Sequence, residues 1–150
     1  TIFWARFDDA LVKLAVSSAT AVRSIPDRFG DKPPFVAATD AALVVLRFRF
    51  WNRSAKPLEA AEAVGNSFHV QVAGASYKRA DAARRCATIS ANASTMYDGA
   101  RSPETDIDPG DGYTTTLVYV LPADAIGASG VAWVSSAAGK RLPLRIKPIG

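Results

Sequence analysis

The chain has 150 residues, enough for one domain that buries about two thirds of its unfolded surface without disulfide or metal staples. With 49% hydrophobic and 21% charged residues it has the composition of a soluble globular protein, which excludes global disorder. A formal charge of +4 raises nucleic acid or an anionic surface as partners, but the lysines and arginines are spread along the chain. The tight basic cluster, Lys78-Arg79 with Arg84-Arg85, lacks interleaved aromatics, which argues against nucleic acid.

Phe3, Trp4 and Phe7 gather near the start of the sequence beside Arg6. They either cap one end of the domain, dock a partner, or mark the stub of a membrane-proximal segment. The sequence opens on Thr1 and not on Met, which raises the expectation of a removed signal peptide or upstream anchor. No apolar stretch approaches the roughly 18 residues that a membrane-spanning helix requires. Ala10 to Ile25 reads either as a helical turn at its start or as a strand, bulged on the way. Pro26 to Pro34 is a loop.

The clearest strand runs from Ala42 to Trp51. Leu46, Phe48 and Phe50 alternate with Arg47 and Arg49, so both arginines are expected on one solvated face. Asn52-Arg53-Ser54 ends it, and Trp51 is either rim of the core or a contact residue. Leu58 to Val64 reads as an irregular stretch with room for a short helical turn. Ser67 to Val72 alternates Phe68, Val70 and Val72 with His69 and Gln71, and Gly74-Ala75 turns the chain before Tyr77.

Lys78 to Pro103 is long and rich in small residues. A short helix is expected at Ala80 to Arg85, and the segment is the first candidate for a binding surface. Tyr113 to Leu121 is a threonine-rich strand between the Asp108-Pro109-Gly110-Asp111-Gly112 turn and Pro122. Val131 to Ser135 and Leu142 to Lys147 follow, joined by a hairpin turn at Gly139-Lys140. Pro143 places the last strand at a sheet edge, because proline cannot donate to a ladder.

Many short strands between turn signals indicate an all-β fold: a single antiparallel β-sandwich over residues 1–150, with one short helix in a long loop. The expected core is Leu46, Phe48, Phe50, Phe68, Val70, Leu117, Tyr119, Trp133, Leu144 and Ile146.

The order of these features resembles a family of small secreted bacterial immunoglobulin-like domains of unknown function. That family is similar in structure to a mycobacterial immunoprotective extracellular protein. The resemblance is carried by a strand ending in Asn52-Arg53-Ser54, then Phe68-His69-Val70-Gln71-Val72 and Tyr77. Asp108-Pro109-Gly110-Asp111 before Thr116-Leu117-Val118-Tyr119-Val120-Leu121-Pro122 completes it, covering roughly Val12 to Lys147. It departs from the family in a longer Lys78–Pro103 segment and in the Ala and Ser run found there. The resemblance implies export, an immunoglobulin-like sandwich and no known catalytic activity.

Residue chemistry points the same way. His69, the one histidine, stands mid-strand on the face opposite Phe68 and Val70, where it reads as a surface residue; no nucleophile-elbow sequence accompanies it. Cys86 is also single, so neither an internal disulfide nor a multi-thiolate metal site can form. It is a packed or idle thiol, or one that forms an intermolecular disulfide, or, beside Arg84 and Arg85, a reactive one. Asp106, Asp108 and Asp111 are a weak calcium candidate, since alternating carboxylates can converge from a turn. No cofactor motif is present. Asn52-Arg53-Ser54 and Asn92-Ala93-Ser94 match the glycosylation triplet.

The sequence therefore predicts an exported, extracytoplasmic binding or cell-envelope assembly module, with a protein partner and no cofactor. Trp4, Trp51, Lys78, Arg79, Arg84 and Arg85 are its candidate contact residues. The alternative is a subunit of a larger assembly, such as a pilus, secretion apparatus or capsid, pairing through edge strands. A hydrolase is the third choice.

Overall fold

A computed structural model of the chain describes residues 2–7, 10–59, 68–72, 74–77, 86–97, 99–102, 105–127, 129–134 and 142–148. Two long strands form the spine. β5 (Ala41–Asn52) and β11 (Gly112–Pro122) pair antiparallel from Trp51 opposite Gly112 to Ala41 opposite Pro122. Both are rich in β-branched and aromatic residues, which fit a pleated and packed surface.

β2 (Ala10–Val22) lies on the other side of β5. It is a strand from its first residue, not a helical turn, and its register shifts between Val16 and Ser18. The bulge has a clear consequence. Val16 pairs with Phe48, and Ser18 pairs with Arg47, so the inward set changes from even to odd positions. Ala19 and Ala21 can then join the core opposite Leu46 and Val44. The far edge of β2 is shared. β1 (Ile2–Phe7) pairs antiparallel with its first half, and β14 (Lys147–Pro148) runs parallel to its second half. With β9 (Ala100–Arg101) beside β11, this completes a six-stranded sheet.

The second sheet has the order β13 (Leu142–Arg145), β12 (Ser129–Val134), β7 (Phe68–Val72), β8 (Ala75–Tyr77). β13 stands at its edge with Pro143 opposite Val131, as the proline requires. β7 and β8 form a tight hairpin in which Gly74 takes φ +82°, a left-handed conformation natural to glycine. The chain passes from the second sheet to the first at Ile146, whose buried side chain fills the layer between them.

That layer contains Val44, Leu46, Phe48 and Phe50 from β5, Leu117, Tyr119 and Leu121 from β11, and Val70 and Val72 from β7. The Phe48 and Phe50 rings stack at 5.9 Å. Removing each such large side chain from water is worth about 2–3 kcal/mol. Of the expected core, Leu46, Phe48, Phe50, Val70, Leu117, Tyr119 and Ile146 are all buried. The side chains of Phe68, Trp133 and Leu144 lie outside the described residues.

Two short ladders close the ends. β6 (Leu58–Glu59) pairs with β10 (Asp106–Ile107), so the stretch begins as a strand; the rest of the expected helical turn, residues 60–64, lies outside the described residues. β3 (Ser24–Ile25) pairs with β4 (Phe35–Val36), bracketing the expected loop. The helix in the long segment is α1 (Cys86–Ser94). The expected helix at Ala80–Arg85 and the hairpin turn at Gly139-Lys140 lie outside the described residues.

Candidate functional site

The outer face of the long sheet is divided in two. Its first half is covered by α1, which sets Ile89 and Ala93 on Leu43, Val45 and Val118, with Val22 and Ile25 alongside. Here β5 is buried on both faces, which is why Ala42 to Leu46 is a continuous apolar run and does not alternate. A polar seam crosses this contact. Thr116 Oγ1 donates to the Ser90 carbonyl oxygen at 3.1 Å and lies 2.7 Å from Ser94 Oγ. The buried Ser90 hydroxyl has no hydrogen-bond partner among the described residues.

The cover ends at Tyr97, whose ring carries the Arg47 guanidinium at 4.5 Å. Arg47 is therefore half-buried beneath the chain that follows α1, and only Arg49 of the expected pair is exposed. The correction has a simple cause: strand alternation tells which face a residue occupies, but not what later packs on that face.

The second half of the face is open. Arg49 lies over the Trp51 ring at 5.2 Å, and Trp51 is half-buried. Opposite Trp51 stands Gly112, where an added Cβ would meet the Phe50 carbonyl oxygen and come within 2.7 Å of Trp51 Cδ1. The indole thus lies across bare backbone, in a place only glycine leaves vacant. Register extends this row over four strands: Trp4 pairs with Lys13, Lys13 with Trp51, and Trp51 with Gly112. The adjacent same-face row is Ile2, Ala15, Arg49 and Thr114. Two candidate contact residues far apart in sequence, Trp4 and Trp51, are so placed in one row with a lysine between them. Lys78, Arg79, Arg84 and Arg85 lie outside the described residues. Arg49 was not among the candidates, although its parity with Trp51 in Arg47-Phe48-Arg49-Phe50-Trp51 was the available signal.

The calcium candidate is not assembled. Asp108 and Asp111 end a β-turn in which the Asp111 N–H donates to the Asp108 carbonyl oxygen at 3.0 Å. Pro109 leads this turn and Gly110 takes φ +84°, the geometry of a type II turn. Asp106 belongs to β10, opposite Glu59. Among the described residues no three His, Cys, Asp or Glu side chains come together to hold a metal ion. His69 is buried and not on the surface, so its sequence reading is also corrected. At His69 the face of β7 opposite the core is covered, while Gln71 on the same face is only half-buried, which alternation alone does not disclose.

Asn52 is the other buried polar centre. Its amide group donates to the carbonyl oxygens of Lys56 at 2.8 Å and Ile107 at 2.7 Å. Its Oδ1 accepts from the Ser54 N–H at 2.9 Å and from Ser54 Oγ at 2.7 Å. Both donors and both lone pairs are used. Its main chain also exchanges hydrogen bonds with the Pro109-Gly110 turn, through Asp111 O and Gly110 N. The Asn-x-Ser and Pro-Gly-Asp signatures are therefore parts of one clamp. Asn52 and Asn92 are both buried, so neither triplet is accessible to a glycan in the folded protein.

No family model matches the chain, and no curated protein is similar to it. Its fold is similar to two solved bacterial structures. One is a conserved hypothetical protein from Bacillus anthracis, at TM-score 0.59 and 9% identity, covering 96% of this chain and 97% of that one. The other is an uncharacterized β-sandwich protein from Clostridium difficile, at TM-score 0.54 and 8% identity, covering 94% and 88%. Both likenesses concern the fold, which is a β-sandwich of unknown function.

Proposed function

We propose that this protein is an extracytoplasmic, immunoglobulin-like β-sandwich module that binds a protein partner of the cell envelope or extracellular space and performs no catalysis. One observation carries the reading. The outer face of the long sheet is sealed by α1 over one half and left open over the other, where Arg49 and Trp51 stand in rows that register extends to Lys13 and Trp4. Large aromatics and arginine are the residues most enriched in protein-binding surfaces. The resemblance to a family of secreted immunoglobulin-like domains, itself similar in structure to the mycobacterial immunoprotective protein, supports export and the absence of an activity. The burial of the chain's one histidine supports the latter.

A photo-crosslinking residue placed at position 114, opposite Arg49 on the same face, with a control at the exposed Asp124 beyond the other end of β11, tests this in the producing cell. A discrete adduct from position 114 and none from position 124 is expected. Equal labelling from both sites, or none from position 114, overturns the proposal.

A second reading, subunit of a larger assembly, is favoured by β1. This apolar strand ends the sheet order and contains no proline to block pairing with another chain. Light scattering distinguishes the two: mass that rises with concentration supports assembly, and a constant monomer counts against it.

A further inference from the structure

We infer that the open half of the long sheet takes a short, extended acidic segment of a polypeptide, held by Arg49. This rests on the reading of that face as the binding surface, and three features of the face select the ligand.

The first is charge. At the described positions of this face, Ala15, Ser18, Arg47, Arg49, Trp51 and Thr114, there is no carboxylate, and register adds Lys13 to the row of Trp51. Cations at described positions that hold no carboxylate favour an anionic partner.

The second is the packing of the aromatic. Arg49 occupies a face of the Trp51 ring, and the Cγ–Cδ1 edge lies against Gly112. A platform for nucleobases or sugar rings needs an open π-face. Here the indole serves as a bed for the guanidinium. Stacking fixes the guanidinium plane and keeps its in-plane N–H groups directed at acceptors, the arrangement that suits a carboxylate.

The third is size. Strands β2, β5 and β11 cover about 10 Å across, and the two rows of Arg49 and Trp51 with their margins are about 14 Å high, so the area at the described positions is roughly 150 Å². A stable complex of folded partners buries about 800 Å² on each side. A second copy of the chain is too large an occupant, whereas an extended stretch of about five residues fits. Its alternate side chains recur every 7 Å or so, the spacing of successive same-face positions in β5.

The test is fluorescence anisotropy with a labelled Glu-Val-Glu-Val-Glu peptide, against a lysine counterpart and oligothymidylate. The expected result is salt-sensitive binding of the acidic peptide alone, about tenfold weaker in Arg49→Glu and partly retained in Arg49→Lys. Arg49 is exposed, so thermal midpoints of these variants should match the parent and exclude misfolding. No binding of the acidic peptide, equal binding by Arg49→Glu, or an Arg49-dependent preference for oligothymidylate overturns the inference. The crosslink from position 114, which leaves Arg49 in place, separates the two levels. An adduct in the cell without peptide binding removes the acidic segment and leaves the interface, and loss of both removes the interface too.

Discussion

The carboxamide of Asn52 donates to the carbonyl oxygen of Ile107 at 2.7 Å, joining positions 55 residues apart in the chain. Through this bond the end of β5 holds β10, and β10 places Ile107 in the core.

Asn52→Ala should therefore be among the most destabilising polar substitutions. It removes the buried donor to the Ile107 carbonyl oxygen and frees the loop at Ser54, while Ser54 Oγ can still donate to the Lys56 carbonyl oxygen. The expected loss is about 1–3 kcal/mol, the cost of one unsatisfied buried group. Urea denaturation reads this from the midpoint at unchanged slope. A loss below about 1 kcal/mol would show that water replaces the side chain freely.

Gly112→Ala should destabilise although it lies at a strand end. The new methyl group would strike Phe50 main chain as well as the Trp51 ring, and the backbone cannot step aside as a side chain can. A loss of about 1–3 kcal/mol is expected. Trp51 fluorescence should shift with it. In the double variant Gly112→Ala, Trp51→Ala most of the cost should persist, because the Phe50 contact remains.

The seam under α1 supplies a pair of opposite expectations. Ser90→Ala removes a buried hydroxyl that has no partner among the described residues, so stability should stay level or rise by up to about 1 kcal/mol. Thr116→Val removes the bonds to Ser90 O and Ser94 Oγ, and stability should fall by about 1–2 kcal/mol. Thermal melts of the two variants side by side decide it; equal losses would mean that Ser90 Oγ is well satisfied.

Millimolar calcium should leave the melting temperature unchanged. A site that binds the native state must stabilise it, and Asp106, Asp108 and Asp111 are divided between a strand and the ends of a turn. A rise of several degrees, lost in Asp108→Asn, would contradict the geometry described above.

The site was half legible. Arg49 and Trp51 are two apart in a strand, so their common face follows from alternation alone. Their row with Lys13 and Trp4 does not, because it depends on which residues of three strands stand opposite one another, and no pattern within a single strand records that.

What the sequence determined by itself was the strands β5, β7 and β11 and their inward sides. Phe48 and Phe50 alternate with Arg47 and Arg49, and Val70 and Val72 with His69 and Gln71, as strands do, and Pro143 and Pro109-Gly110 constrain the backbone wherever they stand. These are local properties, carried by a residue and its near neighbours. Only the tertiary structure decided which second faces are covered. His69 is buried, Arg47 lies against Tyr97, and Arg49 remains in water. Each outcome depends on a segment that arrives from elsewhere in the chain, and no periodicity within a strand records what will be laid on top of it.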